Sequence, residues 1–119
     1  FIFTTASSPA DAGAALAAVR LYRSEEGERL RERLRASIDK VAPGHPSPII
    51  PIVIGEENEA VKASARLLDE GLLVPAIRPP SVPPGGSRLR VTLSAQHADA
   101  DIEHLVASLD DVVPGWRDA

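Results

Sequence analysis

The sequence contains no cysteine. That excludes a disulfide framework and a thiol nucleophile, and it fits a reducing, cytoplasmic setting. Basic charge is not in excess: 13 Lys and Arg against 17 Asp and Glu leave a formal net charge of −4. No electropositive surface is therefore expected for nucleic acid. No apolar run approaches the roughly 20 residues of a membrane-spanning helix. Phe1-Ile2-Phe3 follows no positive segment and is too short for the apolar core of a signal peptide. His45, His97 and His104 lack metal-ligand spacing, so no metal site is expected. No Ser/His/Asp arrangement and no phosphate-binding glycine loop is present. Lysine occurs only at positions 40 and 62.

What remains is a chain of 119 residues, long enough for one modest core. Positions 1–5 are aromatic, β-branched and Thr-rich, and read as a strand. Ser8-Pro9-Ala10-Asp11 reads as a helix start, with Ser8 as cap, Pro9 at the first helical position and Asp11 at the positive end of the dipole. The alanine-rich stretch 10–21 is helical, with Leu16 and Val19 as its apolar stripe, joined by Ala12 and Ala15. Ser24 and Gly27 predict a bend or a short break. Beyond it, Glu25 and Arg29 are spaced as an i,i+4 pair, and Leu30, Leu34 and Ile38 form a buried stripe. This helix should end near Val41, before Pro43-Gly44. The alternating Glu and Arg residues of 25–35 read as a solvated face.

Positions 45–48 are a linker. Ile49–Gly55 reads as a strand whose Pro51 demands an edge or a bulge. A helix over 56–70 should bury Ala60, Ala63, Leu67 and Leu68 and stop at Gly71. Strands are expected over 72–77 and 89–93. A last helix from Asp99, taken as its cap, places Ile102, Leu105, Val106 and Leu109 on one face. The tail 112–119 reads as mobile, apart from Trp116, which can pack back on a neighbour.

The organising stretch is 76–97. An apolar run leads into Arg78-Pro79-Pro80-Ser81-Val82-Pro83-Pro84-Gly85-Gly86, and then into the alternating Arg88-Leu89-Arg90-Val91. Proline stiffens this loop, and glycine permits the positive φ of a reversal. Arg78, Ser81 and Arg90 thus sit on a rigid frame, and an arginine fork matches the two oxygens of a carboxylate. Arg88 and Arg90 share a strand face, and alternation alone does not choose between them.

The wording A-I-R-P-P-S-V-P-P-G-G-S-R-L-R-V-T-L-S-A-Q-H resembles the C-terminal signature of the 8-amino-7-oxononanoate synthases. These are a branch of the α-oxoamine synthases, pyridoxal-phosphate enzymes of fold type I. Phe1-Ile2-Phe3-Thr4-Thr5-Ala6-x-x-Pro9 is similar to the family segment that follows the cofactor lysine. The two motifs lie at opposite ends of the chain, in the family's order.

The resemblance implies an α+β fold: a small, mostly antiparallel sheet with helices packed on one face, preceded by a long connecting helix. Positions 1–7 would end the large cofactor domain. Positions 8–42 would be the connecting helix, bent near 24–27, and 43–119 the small C-terminal domain. The chain would then be a piece of a longer polypeptide whose cofactor lysine lies upstream, so that this segment alone is inactive.

The resemblance also assigns roles. Thr4 and Thr5 would hold the cofactor phosphate of a partner subunit. Arg90, not Arg88, would hold the amino-acid carboxylate. Ser81, usually Thr in the family, would contact substrate. Arg78 would either meet an acyl-chain carboxylate or be structural. The implied reaction condenses L-alanine with a pimeloyl thioester and releases CO2 in biotin biosynthesis, in a cytoplasmic homodimer with a shared site. Two alternatives stand: a sister synthase using glycine and another acyl-CoA, or a non-catalytic α+β binding module.

Overall fold

Proline and glycine cut this chain into its elements, and the computed structural model describes residues 8–118 of it. Thr4, Thr5 and the strand expected over 1–5 lie outside the described residues. The chain divides into two compact units, with the division between Arg33 and Leu34.

In the first unit, helix α1 (Pro9–Tyr22) begins as its sequence dictates, with Ser8 extended at the cap position and Pro9 first in the helix. The Ser8 side chain makes no capping bond. α1 buries none of its residues. The apolar stripe is left uncovered: Leu16 and Val19 are each 50% exposed. Alanine's intrinsic propensity favours the helix without requiring that stripe to be covered. Of the bend or short break expected here, the chain takes the break: α1 stops and α2 (Glu25–Val41) begins after Arg23–Ser24. The Ser24 hydroxyl donates to the Leu21 carbonyl at 2.7 Å and accepts the Gly27 N–H at 3.2 Å, so one side chain closes α1 and opens α2. Gly27 lies inside α2, not at the break. A Cβ there would stand 2.2 Å from the Leu21 carbonyl oxygen, so only glycine fits the crossing. Arg29 pairs with Glu26 and Arg31 with Glu28, three residues apart, in place of the expected Glu25–Arg29 pair; both spacings bring helical side chains together.

The second unit holds a sheet of three strands, β1 (Ile49–Gly55), β2 (Ala76–Ile77) and β3 (Ser87–Thr92), in the order β1-β3-β2. Both pairings are antiparallel. Helices α3 (Glu57–Asp69) and α4 (Asp99–Val112) cover one face of it. Alternation assigns the faces. Ile50 and Ile52 of β1 and Leu89 and Val91 of β3 point into the core, against Ala63 and Leu67 of α3 and Ile102, Leu105 and Leu109 of α4. Ile38 and Val41 from the end of α2 complete it. Each such aliphatic side chain contributes about 1.5–3 kcal/mol on full burial. The other face stays open, with Ile49 50% and Val53 45% exposed. β1 is an edge strand, which accommodates Pro51 as expected, and its irregularity falls between Val53 and Gly55.

Three local expectations are corrected. The strand expected over 72–77 is only Ala76–Ile77. The Leu72 N–H instead closes α3 on the Leu67 carbonyl at 2.9 Å, and the Val74 N–H turns back to Leu72 at 3.1 Å. Pro75 has no N–H to give a ladder. Leu68 is exposed rather than inward, whereas Gly71 ends α3 with φ +82° as expected. Asp99 is the first residue of α4 and Ala98 its cap position; the capping work is done from inside, where Asp101 accepts the Ala98 N–H at 2.8 Å. The described part of the tail packs back, as expected of Trp116: Val112 and Trp116 are buried, and the Trp116 indole N–H donates to Asp110 at 2.8 Å.

Candidate carboxylate-binding loop

The loop 78–86 joins β2 to β3 and is built from two tight turns. In the first, the Ser81 N–H donates to the Arg78 carbonyl at 3.0 Å, across a cis Pro79–Pro80 bond. In the second, the Gly86 N–H donates to the Pro83 carbonyl at 2.9 Å. Gly85 supplies the positive φ this reversal needs, at +77°, a region that costs any other L-residue. Arg78 and Ser81 thus stand at the two ends of one turn.

Arg90 stands apart from them. Its backbone N–H meets the Pro75 carbonyl at 2.9 Å, three residues before Arg78. That places Arg90 on the order of 10 Å from Arg78 along the strand direction. Its side chain is exposed and lies opposite Pro51 on the open face of the sheet. Among the described residues it has no side-chain hydrogen bond or ion pair. Arg88 shares that face but is held back, its Nε–H donating to the Gly86 carbonyl at 2.9 Å. Geometry therefore separates two arginines that alternation left equivalent.

Arg78 is also engaged. Its Nη1 donates to Glu57 Oε1 at 2.7 Å, at the first residue of α3. Sequence reasoning missed Glu57. Its only local signal is an acidic residue in a first helical turn, and Glu59 carries the same signal. Ser81 is exposed. A cleft of about 590 Å3 near Pro43 and Trp116 and another of about 340 Å3 beside Leu73 and His97 include neither Arg78, Ser81 nor Arg90.

The remaining candidates are accounted for locally. His45 Nδ1 lies 2.9 Å from the Ser47 carbonyl, His97 Nδ1 accepts the Ser94 N–H at 3.2 Å, and His104 Nε2 lies 3.1 Å from the Glu70 carbonyl. Lys40 is paired with Asp99 at 2.9 Å and Lys62 with Glu59 at 2.7 Å. The described residues alone therefore do not make up a pyridoxal phosphate site, and Thr4 and Thr5, expected at the phosphate, lie outside them.

No family model matches the chain. Among curated proteins, it is 44% identical to an 8-amino-7-oxononanoate synthase of Thioalkalivibrio sulfidiphilus, covering 99% of this chain and 32% of that protein. A second 8-amino-7-oxononanoate synthase, of Maricaulis maris, is 47% identical over 94% of this chain and 29% of its own length. The chain thus spans about a third of the length of the curated relatives it matches. Among solved structures, a serine palmitoyltransferase from S. paucimobilis with bound PLP and myriocin superimposes with a TM-score of 0.80 at 24% identity, over 96% of this chain and 31% of that one. The fold is that of the C-terminal domain of a fold-type-I enzyme.

Proposed function

We propose that this chain, which resembles 8-amino-7-oxononanoate synthases over nearly its whole length, is the C-terminal portion of a pyridoxal-phosphate-dependent acyltransferase. The reaction joins the Cα of L-alanine to the carbonyl carbon of a pimeloyl thioester. The C–S bond breaks with release of the thiol, and the alanine carboxylate departs as CO2, leaving 8-amino-7-oxononanoate for biotin synthesis.

The observation that carries this reading is the similarity to 8-amino-7-oxononanoate synthases over nearly the whole chain, with Arg90 exposed on the open sheet face and without a side-chain partner among the described residues. A guanidinium in that state is available to hold the alanine carboxylate in a fork. Fixing that carboxylate would fix rotation about Cα and so select which of its bonds is labilised, which is catalysis by orientation. Pyridoxal phosphate, when bound by the longer polypeptide, supplies the electron sink. Ser81 offers its hydroxyl to substrate, and Arg78 sets the turn that presents it. Thr4 and Thr5 hold the cofactor phosphate of a partner subunit, in a cytoplasmic homodimer with a shared site. The exposed apolar side chains of α1 support packing of that helix against another part of such an assembly.

A non-catalytic α+β module is the second reading, favoured by the lack of a lysine in the family's cofactor setting within this sequence, where lysine occurs only at positions 40 and 62. The experiment is an assay of the full-length polypeptide, loaded with pyridoxal phosphate, on L-alanine and a pimeloyl thioester. Alanine-dependent CO2 release with formation of the amino ketone is expected. No release from cofactor-loaded protein would favour the module instead.

A further inference from the structure

The loop 78–86 needs an anchor at each end if it is to hold Ser81 still. Its far end has one within the hairpin, where Arg88 Nε–H binds the Gly86 carbonyl at 2.9 Å and the Gly86 N–H binds Pro83 at 2.9 Å. Its near end is shaped by the Ser81–Arg78 backbone bond of 3.0 Å, but that bond ties the turn only to itself. Among the described residues, a hydrogen bond from Arg78 Nη1 to Glu57 Oε1, 2.7 Å long and 21 residues away in sequence, ties this turn to another element.

Glu57 is well placed to be that anchor. It is the first residue of α3, a helix seated on the core by Ala60, Ala63 and Leu67. A carboxylate in the first turn also suits the helix dipole. The same β1–α3 junction borders the loop's other end, where Gly55 is the register partner of Ser87, the residue that follows the loop. One junction, 55–57, therefore lies beside both ends of the loop. The Arg78 and Glu57 side chains are 56% and 45% exposed, and a pair so exposed adds little to global stability. Its consequence is local.

We propose that Glu57 is a positioning residue for the substrate loop, holding the Ser81 turn through Arg78. This rests on reading the loop as part of the substrate site. Glu57 touches no reacting atom in this scheme, and Arg78 is held as a support for the loop rather than as the receiver of an acyl-chain carboxylate.

The test uses the full-length polypeptide with Glu57→Gln, Arg78→Gln and the swapped pair Glu57→Arg/Arg78→Glu. Hydrogen exchange of the peptide spanning Ser81 should quicken by about two- to fivefold in either single variant, the size an exposed ion pair can set. Peptides from α4 should be unchanged, and the swapped pair should restore protection. The KM for the acyl thioester should rise by a similar factor with kcat and alanine affinity nearly unaltered. Unchanged exchange at Ser81 in both single variants would overturn the proposal. So would loss confined to kcat. If the wild-type protein makes no amino ketone, the functional reading fails, while the exchange measurement still decides the role of Glu57.

Discussion

Arg88 donates its Nε–H to the carbonyl of Gly86, two residues back, at 2.9 Å. It is thereby committed to its own loop, while Arg90, on the same strand face, is left with no side-chain partner among the described residues. The two should respond differently to truncation. In the full-length polypeptide, Arg90→Ala should weaken alanine binding by about 3 kcal/mol, roughly two orders of magnitude, as when one partner of a hydrogen-bonded charge pair is removed. Arg88→Ala should change it by less than about tenfold. A spectral titration of the bound cofactor with alanine measures both, and equal losses would remove the distinction.

Ser87 is 1% exposed, and its hydroxyl has no hydrogen-bond partner among the described residues. A buried hydroxyl without a partner carries a desolvation cost with no return. Ser87→Ala should therefore be neutral or stabilising, by up to about 1 kcal/mol. Ser108 is the control: it is 4% exposed, and its hydroxyl donates to Glu70. Ser108→Ala should destabilise by about 1 kcal/mol. Thermal unfolding of both variants against wild type gives the two signs.

Leu67 and Leu73 lie six positions apart and should differ greatly in cost. Leu67 is fully buried at the centre of the core, whereas Leu73 is 82% exposed. Leu67→Ala should cost about 2–5 kcal/mol through lost burial and the cavity left behind. Leu73→Ala should stay within about 0.5 kcal/mol. Denaturant midpoints at constant slope separate them.

Asp39 ties down the end of α2. Its Oδ1 accepts the Gly44 N–H at 3.1 Å and an Arg35 N–H at 3.0 Å. The Gly44 bond first, and Arg35 second, hold its carboxyl below the ordinary aspartate value. A depressed folded pKa contributes stability that is present above the unfolded pKa, near 3.9, and is lost as pH falls through the folded value. Asp39→Asn should flatten the fall in Tm below about pH 4. An unchanged acid limb would show that the carboxylate makes no such contribution.

Most elements of the second unit were legible in the sequence because their causes are local. Ile49–Gly55 is β-branched apart from Pro51 and Gly55, and Ala60, Ala63 and Leu67 repeat at helical spacing onto one face; all three are buried. What was not legible has causes beyond local pattern. Leu72 to Pro75 looks like strand by composition, but its backbone groups are taken up in closing α3. The stripe of α1 has helical spacing, yet spacing says nothing about whether a surface exists to cover it.

The candidate loop divides along the same line. The turns at Ser81 and Gly85 follow from proline and glycine, whose constraints act within a few residues, so the sequence by itself determined them. Alternation likewise put Arg88 and Arg90 on one face. Which arginine is held and which is open was decided only in three dimensions. The partner of Arg78 is Glu57, 21 residues away, and no local period encodes a contact between the start of one helix and the far end of a hairpin.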